Sequence, residues 1–337
     1  MTRSAGRNLL GLAGLLLALT SVVLTACAPT AELPAAPVAA GPEIRVVSTP
    51  VPLDAGNPQR LKVGAFAYAG GVALADPVTD RLHGLSDLKF TPDGTLVSVS
   101  DFGDLFEGRL VLDAAGQLTG VSDGKLWPLK RPDGQPVQGK AEGDAEGLAI
   151  LASGDRLVSF ERQHRIWLYP AQGGSPRPAP MPTSLFSENE GLEALTAYPV
   201  AGPDAYLAGS EEGEIWLCRL SAACDRFAAL LGPDQDYGLT ALASFGDGSL
   251  VTVHRTFDPI RGARVLVSVY PVRMLKARNP RPSAVLTLEG SLARDNIEGV
   301  ALITAPSGAA RLMLLADDNG SPQQRSLLLA FDWVGGR

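Results

Sequence analysis

The chain has 337 residues, 45% of them hydrophobic and 19% charged, with 37 Gly, 26 Pro and 3 Cys. That is too apolar for a disordered chain and enough for the core of one large or two ordinary domains. Lys and Arg total 29 against 36 Asp and Glu, a formal charge of −7, so there is no basic stripe for a phosphate backbone and nucleic acid is not an expected partner. Gly, Pro, Val, Thr and Ser outweigh helix-forming charge, which favours many short strands joined by tight turns.

Residues 1–7 carry two cations and no acid, 9–24 form an apolar run, and Leu24-Thr25-Ala26-Cys27 closes it. The run is short of the ~20 residues that a membrane span needs and has the layout of an export signal. Leu-Thr-Ala-Cys resembles a bacterial lipobox, so Cys27 is the expected lipidation site and 1–27 the signal peptide of an exported lipoprotein. Its place would be the bacterial cell envelope, facing the periplasm or the outer surface. An ordinary secretory signal followed by an incidental Cys is the competing reading.

Loss of Arg3 and Arg7 takes the charge from −7 to −9. Residues 28–60 read as a Pro/Ala-rich tether with too little bulky apolar content to pack, leaving 61–337 as a single domain. Cys218 and Cys224 lie close together in an oxidising compartment. A small loop-closing disulfide and a buried or free pair both stay open.

From residue 61 one pattern recurs five times. It opens with a strand-length apolar segment carrying a polar slot near its start: Ser86 in 85–90, Glu146 in 145–150, Glu193 in 192–197, Thr240 in 239–244 and Glu298 in 297–302. A turn of Gly, Pro and Asp follows, then a second strand ending in a polar cluster: Asp101, Glu161-Arg162, Glu211-Glu212, His254-Arg255 and Asp317-Asp318-Asn319. A third strand is visible each time and a fourth is weaker. Slots spaced by 60, 47, 47 and 58 residues suit four-stranded antiparallel blades, so the expected fold is an all-β propeller. Five blades are counted, and residues 61–85 or a long loop are where a sixth would hide. The last repeat lacks a fourth strand, which Leu61-Lys62-Val63-Gly64-Ala65-Phe66-Ala67-Tyr68 is expected to supply, closing the ring.

Because consecutive strands run antiparallel, the start of the first and the end of the second lie at the same end of a blade. The slots and clusters should therefore meet on one face around the axis. Asp101, Glu146, Glu161, Glu193, Glu211, Glu298 and Asp317 are the expected metal ligands, with Asp87, Asp144, Glu190, Asn296 and Asn319 nearby. Converging carboxylates repel unless a cation compensates, and an all-oxygen donor set suits Ca²⁺, whereas Zn²⁺ would want His or Cys. A hydrated acidic rim, salt-bridged to Arg162, Arg255 and Arg325, is the competing reading. Arg162, His164, His254, Arg255 and Arg325 are placed to hold an anion against the metal. No Gly-x-x-x-x-Gly-Lys-Ser/Thr phosphate loop is present.

The segments Leu85-Ser86-Asp87-Leu88 with Ser100-Asp101-Phe102-Gly103, Asp144-Ala145-Glu146-Gly147 with Phe160-Glu161-Arg162, Asn189-Glu190-Gly191-Leu192-Glu193, and Asn296-Ile297-Glu298-Gly299 with Asp317-Asp318-Asn319 resemble the phytase-like "esterase-like activity of phytase" family of exported bacterial proteins. The resemblance covers about 61–333. It implies a propeller and a hydrolase of ester or phosphoester bonds, and propeller phytases, more distant in architecture, use calcium in an acidic funnel. The matched acids would then be calcium ligands. Glu146, Glu161, Arg162, His254 and Arg255 form the expected catalytic set, with Arg162 and Arg255 clamping a small anionic ester or phosphoester. A non-catalytic binding or scaffolding propeller and a lactonase-type metalloenzyme are the rival readings.

Overall fold

Each repeat alternates in period two with apolar residues on both sides, the pattern of a strand buried on both faces. In the computed structural model, which describes residues 43–335 except 80, 185 and 188–190, these repeats are five antiparallel blades. Strands β1 (Val47–Pro50), β2 (Lys62–Val63) and β3 (Phe66–Ala75) come first. Blade 1 is β4 (Leu85–Phe90), β5 (Thr95–Ser100), β6 (Asp104–Leu112) and β7 (Leu118–Pro128). A short helix α1 (Gly139–Gly143) leads to blade 2, β8 (Ala145–Ile150), β9 (Arg156–Phe160), β10 (Arg165–Tyr169) and β11 (Arg177–Pro178). Blade 3 is β12 (Ala194–Ala197), β13 (Ala205–Gly209), β14 (Glu214–Arg219) and β15 (Ala222–Ala229). Blade 4 is β16 (Gly238–Ser244), β17 (Leu250–Asp258), β18 (Gly262–Tyr270) and β19 (Ala284–Leu288). Blade 5 is β20 (Asn296–Thr304), β21 (Ala310–Asp317) and β22 (Leu327–Trp333), completed by β3.

The innermost strands form a closed circle: β4 packs beside β8 and β20, β12 beside β8 and β16, and β16 beside β20. Five apolar layers lie between neighbouring blades. Alternate residues of one strand go to opposite layers, as Leu207 packs toward blade 4 while Tyr206 and Ala208 pack toward blade 2. Inside the circle Asp87 and Lys89 form a buried ion pair at 2.6 Å. Asp87 accepts the amide of Leu148, and Lys89 donates to the carbonyl of Val300 at 3.2 Å, tying β4 to both neighbouring inner strands. Asp87 thus braces the circle and stands apart from the acidic face.

Closure follows the expected route with a shifted strand. The fourth strand of blade 5 is Phe66–Ala75, paired from Leu327↔Ala73 to Trp333↔Phe66, while Lys62–Val63 folds back on it as a hairpin. Aromatic packing sets that register: Phe66 stacks on Trp333 and Tyr68 leans on Phe331. Residues 61–85 therefore hold the closing strand, and among the described residues there is no sixth blade.

The tether expected over 28–60 is corrected at its C-terminal end. β1 pairs with β3, and Val51 and Leu53 are 8% and 1% exposed in the layer between blades 4 and 5. A Pro/Ala-rich average over the segment hid these two anchors. The signal peptide, Cys27 and the first part of the tether lie outside the described residues, among which no helix is long and apolar enough to cross a membrane. Cys218 and Cys224 are joined by a disulfide across the β14–β15 hairpin.

Candidate metal centre and funnel

In four of the five repeats the polar slot is a β-bulge. Between first and second strands, Leu85↔Ser100 is followed by Asp87↔Val99, Leu239↔His254 by Ala241↔Val253, and Ile297↔Ala316 by Gly299↔Leu315. The extra residues are Ser86, Thr240 and Glu298. In blade 2, Glu146 and Gly147 stand between the pairs Ala145↔Phe160 and Leu148↔Val158, and in blade 3 Glu193 directly precedes the first pair, Ala194↔Gly209. A bulged residue leaves the ladder and is re-aimed, which turns these side chains to the mouth of the ring and leaves the flanking apolar residues in the blade interfaces.

The glycines after Glu146 and Glu298 are required by the close approach of inner strands. A Cβ on Gly147 would lie 2.7 Å from Ser159 Oγ and 3.0 Å from the Glu193 carbonyl oxygen, and one on Gly299 would lie 2.8 Å from Leu88 Cδ2 and 3.1 Å from the Leu88 amide nitrogen. Gly147→Ala and Gly299→Ala should each destabilise the fold by about 1–3 kcal/mol, the cost of overpacking, read as a lower urea midpoint. An unchanged midpoint would show that the strands have room to part.

The acids converge as the repeat implies. Single carboxylate oxygens of Asp101, Asp144 and Glu146 lie within 4.8 Å of one another, a group that can hold a metal. Asp101 accepts from Ser86 Oγ at 2.6 Å and from Lys140 Nζ at 2.6 Å; the same ammonium is 3.3 Å from Asp144, whose other oxygen accepts from Arg162 Nε at 2.5 Å. Across the ring Glu298 accepts from Asn296 Nδ2 at 2.6 Å and Arg255 Nη2 at 3.1 Å, and Asp317 accepts from the Asn319 amide at 2.8 Å.

Glu146, Glu193 and Asp317 are pushed well above the usual carboxylate range, first by burial and then by like charges. For Glu146 those are Asp101, Glu193, Asp144 and Glu298, contributed by four different inter-blade connections or strands; for Glu193 they include Glu211, Glu298 and Glu161. Burial raises Glu298 and Glu161 to about 7, with Arg255 opposing the rise at Glu298 and Asp144 adding to it at Glu161. Glu211 stands at the rim beside Gly238. The donor set is all oxygen and fits a hard cation.

One expected catalytic residue is elsewhere. His254 is 2% exposed, donates from Nε2 to the Leu230 carbonyl at 2.8 Å, and is pushed down to about 4 by burial. Neighbours on a strand point to opposite faces, so His254 enters the layer toward blade 3 while Arg255 reaches Glu298 of blade 5. Arg255 also borders a trench of about 640 Å³ between blades 4 and 5, lined by Phe257, Asn296, Asn319 and Gln324, which opens beside the acids. Lys140 escaped sequence reasoning; its one local signal is the i, i+4 spacing to Asp144.

The phytase-like family model, described as esterase-like activity of phytase, matches residues 80–320. No curated protein matches the chain. Among solved structures, streptogramin B lyase is 8% identical, covering 86% of this chain and 98% of its own, with a TM-score of 0.41. The major Malassezia sympodialis allergen Mala s 1 is 11% identical over 88% and 96%, with a TM-score of 0.45. The β-propeller domain of Cps50 (Swd1) from Myceliophteria thermophila is 16% identical over 71% and 64%, with a TM-score of 0.36.

Proposed function

From the premise that the chain belongs to the phytase-like family, we propose that its acidic funnel is a Ca²⁺-dependent centre for hydrolysis of a small anionic ester, a phosphomonoester or carboxylate ester, in a protein anchored to the cell envelope through lipidated Cys27. The observation that carries the reading is the crowding of like charge in the ring. Glu146 faces Asp101, Glu193, Asp144 and Glu298, and Glu193 faces Glu211, Glu298 and Glu161 with Arg255 opposing them. Like charges held this close call for a divalent cation.

Asp101, Asp144 and Glu146, single oxygens of which lie within 4.8 Å of one another, would hold the ion, with Glu193, Glu298 and Asp317 as further acids of the ring. A bound Ca²⁺ would polarise the ester and lower the pKa of an attacking water. Arg255, which borders the trench and pairs with Glu298, would bind an ester anion, and Arg162 is tied to Asp144 on the blade-2 side. Glu161, raised to about 7, offers a carboxyl that exchanges its proton near neutral pH, the property a general acid or base needs.

The test is hydrolysis of paired chromogenic phosphate and carboxylate esters by the purified full chain, in Ca²⁺ and in chelator. Turnover of one ester is expected in Ca²⁺, falling at least a hundredfold on chelation. Saturable Ca²⁺ binding without turnover of either ester would assign the funnel to ligand binding instead.

A further inference from the structure

The connection between β18 and β19 runs against the charge of the rest of the chain. Residues 271–283 hold Arg273, Lys276, Arg278 and Arg281 and no acid, in a protein whose formal charge is −7. All four cations are exposed, and none is in an ion pair among the described residues. Leu275, 2% exposed, pins the connection into the layer between blades 3 and 4, while the cations on either side of it stay in solvent. Because β17 ends at the acidic face, where Arg255 meets Glu298, β18 runs away from that face, and the connection lies at the opposite end of blade 4.

Apolar groups stand among these charges. Val272 and Val200 are 48% and 51% exposed, and they would lie 3.4 and 3.2 Å from a Cβ placed on Gly248, so they meet at one spot between blades 3 and 4. Beside them is a cavity of about 390 Å³ lined by Phe245, Val269, Pro271, Val272 and Trp333, whose wall also holds Arg273 and Asp247. The indole Nε1 of Trp333 is buried with no hydrogen-bond partner among the described residues. A nucleic acid or an anionic polysaccharide would be held by the cations alone and leave the valines in water. A bilayer surface takes both: its phosphates match the guanidinium and ammonium groups, and exposed apolar side chains enter the boundary between headgroups and acyl chains.

We infer that residues 271–283, with Val200 and Val272, form a docking surface for an anionic phospholipid bilayer. The surface is separate from the acidic ring and does not depend on its chemistry. Its consequence is an orientation: a bilayer held at the end of blade 4 opposite the acids leaves the funnel open to solutes, and repulsion between the acids and anionic headgroups favours the same arrangement. Together with the lipid proposed at Cys27, the patch would supply the second of the two signals that stable anchoring takes.

Co-sedimentation of the full chain with vesicles of phosphatidylcholine, alone or mixed with phosphatidylglycerol, tests this. Residues 1–27 are common to every variant, so the reading is the change between variants. R273Q/K276Q/R278Q/R281Q is expected to bind the mixed vesicles about thirtyfold or more less tightly than the wild type and to bind phosphatidylcholine as the wild type does. Added salt should erase that difference. V200S/V272S should weaken binding to the mixed vesicles about fivefold with every cation in place. Should the quadruple variant melt early, R273Q/K276Q and R278Q/R281Q make the same comparison in halves. Unchanged binding of the charge variants to mixed vesicles would overturn the inference. Unchanged binding of V200S/V272S would reduce the patch to a contact of charge alone, open to any polyanion, and overturn the bilayer as its partner.

Discussion

Replacing Glu146 and Glu298 together with Gln is expected to weaken Ca²⁺ binding by a hundredfold or more, to abolish turnover, and at the same time to raise the melting temperature of the metal-free protein. The two effects have one cause. Both side chains are bulge residues aimed at the ring, and both carry carboxyls that burial and neighbouring acids hold above their ordinary range. Calcium affinity follows the number of charged oxygens, so removing two should be felt over orders of magnitude.

In the metal-free protein the same charges oppose folding. Gln keeps the shape and removes the repulsion, a gain of about 1–3 kcal/mol on the scale seen when buried charge is replaced. Part of that gain is lost at Glu298, because Arg255 and Asn296 would lose a charged partner. Calorimetric titration and thermal melts in chelator measure both effects. Retained Ca²⁺ affinity would move the metal elsewhere; a lower metal-free melting temperature would show a rim already satisfied by its cations and by water.

The second large effect is on pH. In chelator the protein should lose stability as pH rises from about 6.5 to 8, and Ca²⁺ should flatten the slope. Glu298 and Glu161 are raised to about 7 in the folded state against 4.5 when unperturbed, and Glu146, Glu193 and Asp317 are also raised well above their ordinary values. Between the two values the folded state keeps protons that the unfolded chain has released, so stability is full below the unfolded pKa and falls as pH climbs through the folded one.

For Glu298 alone, a rise from 4.5 to about 7 corresponds to an upper limit of about 3 kcal/mol. His254 acts in the opposite sense, but only between about 4 and 6.5, where it stays neutral in the fold and gains a proton when unfolded. Above that range it is silent, and the carboxyls are seen alone. Melts at half-unit intervals of pH, with and without Ca²⁺, give the slope. A flat or rising metal-free curve from 6.5 to 8 would mean that the ring is not charge-frustrated.

The blades were legible because their signals are local. Period-two alternation and Gly/Pro/Asp turns place a strand within a few residues, and a polar residue inside an apolar strand start marks the inner-strand bulge in four of the five blades. Errors arose where a local average concealed one or two anchoring contacts. Val51 and Leu53 sit in a Pro/Ala-rich stretch that reads as tether, yet are buried between blades 4 and 5. The closing strand was placed a few residues early because Leu61–Tyr68 and Phe66–Ala75 are both apolar, and only packing on Phe331 and Trp333 separates them.

The site divides along the same line. Which residues are acidic, how many repeats carry them and which end of each blade they occupy follow from residue order and the antiparallel rule. Which of those acids is already neutralised does not. His254 and Arg255 are neighbours, and one residue of strand alternation sends the first into a dry interface and the second to Glu298. Lys140 stands 39 residues from Asp101, and only the stacking of blade 2 on blade 1 brings its ammonium to that carboxylate. Sequence by itself determined the five-fold repeat and its ring of acids, because both are written in short-range periodicity. Tertiary structure alone decided the charge balance within the ring, because compensation depends on distances between blades that no spacing along the chain encodes.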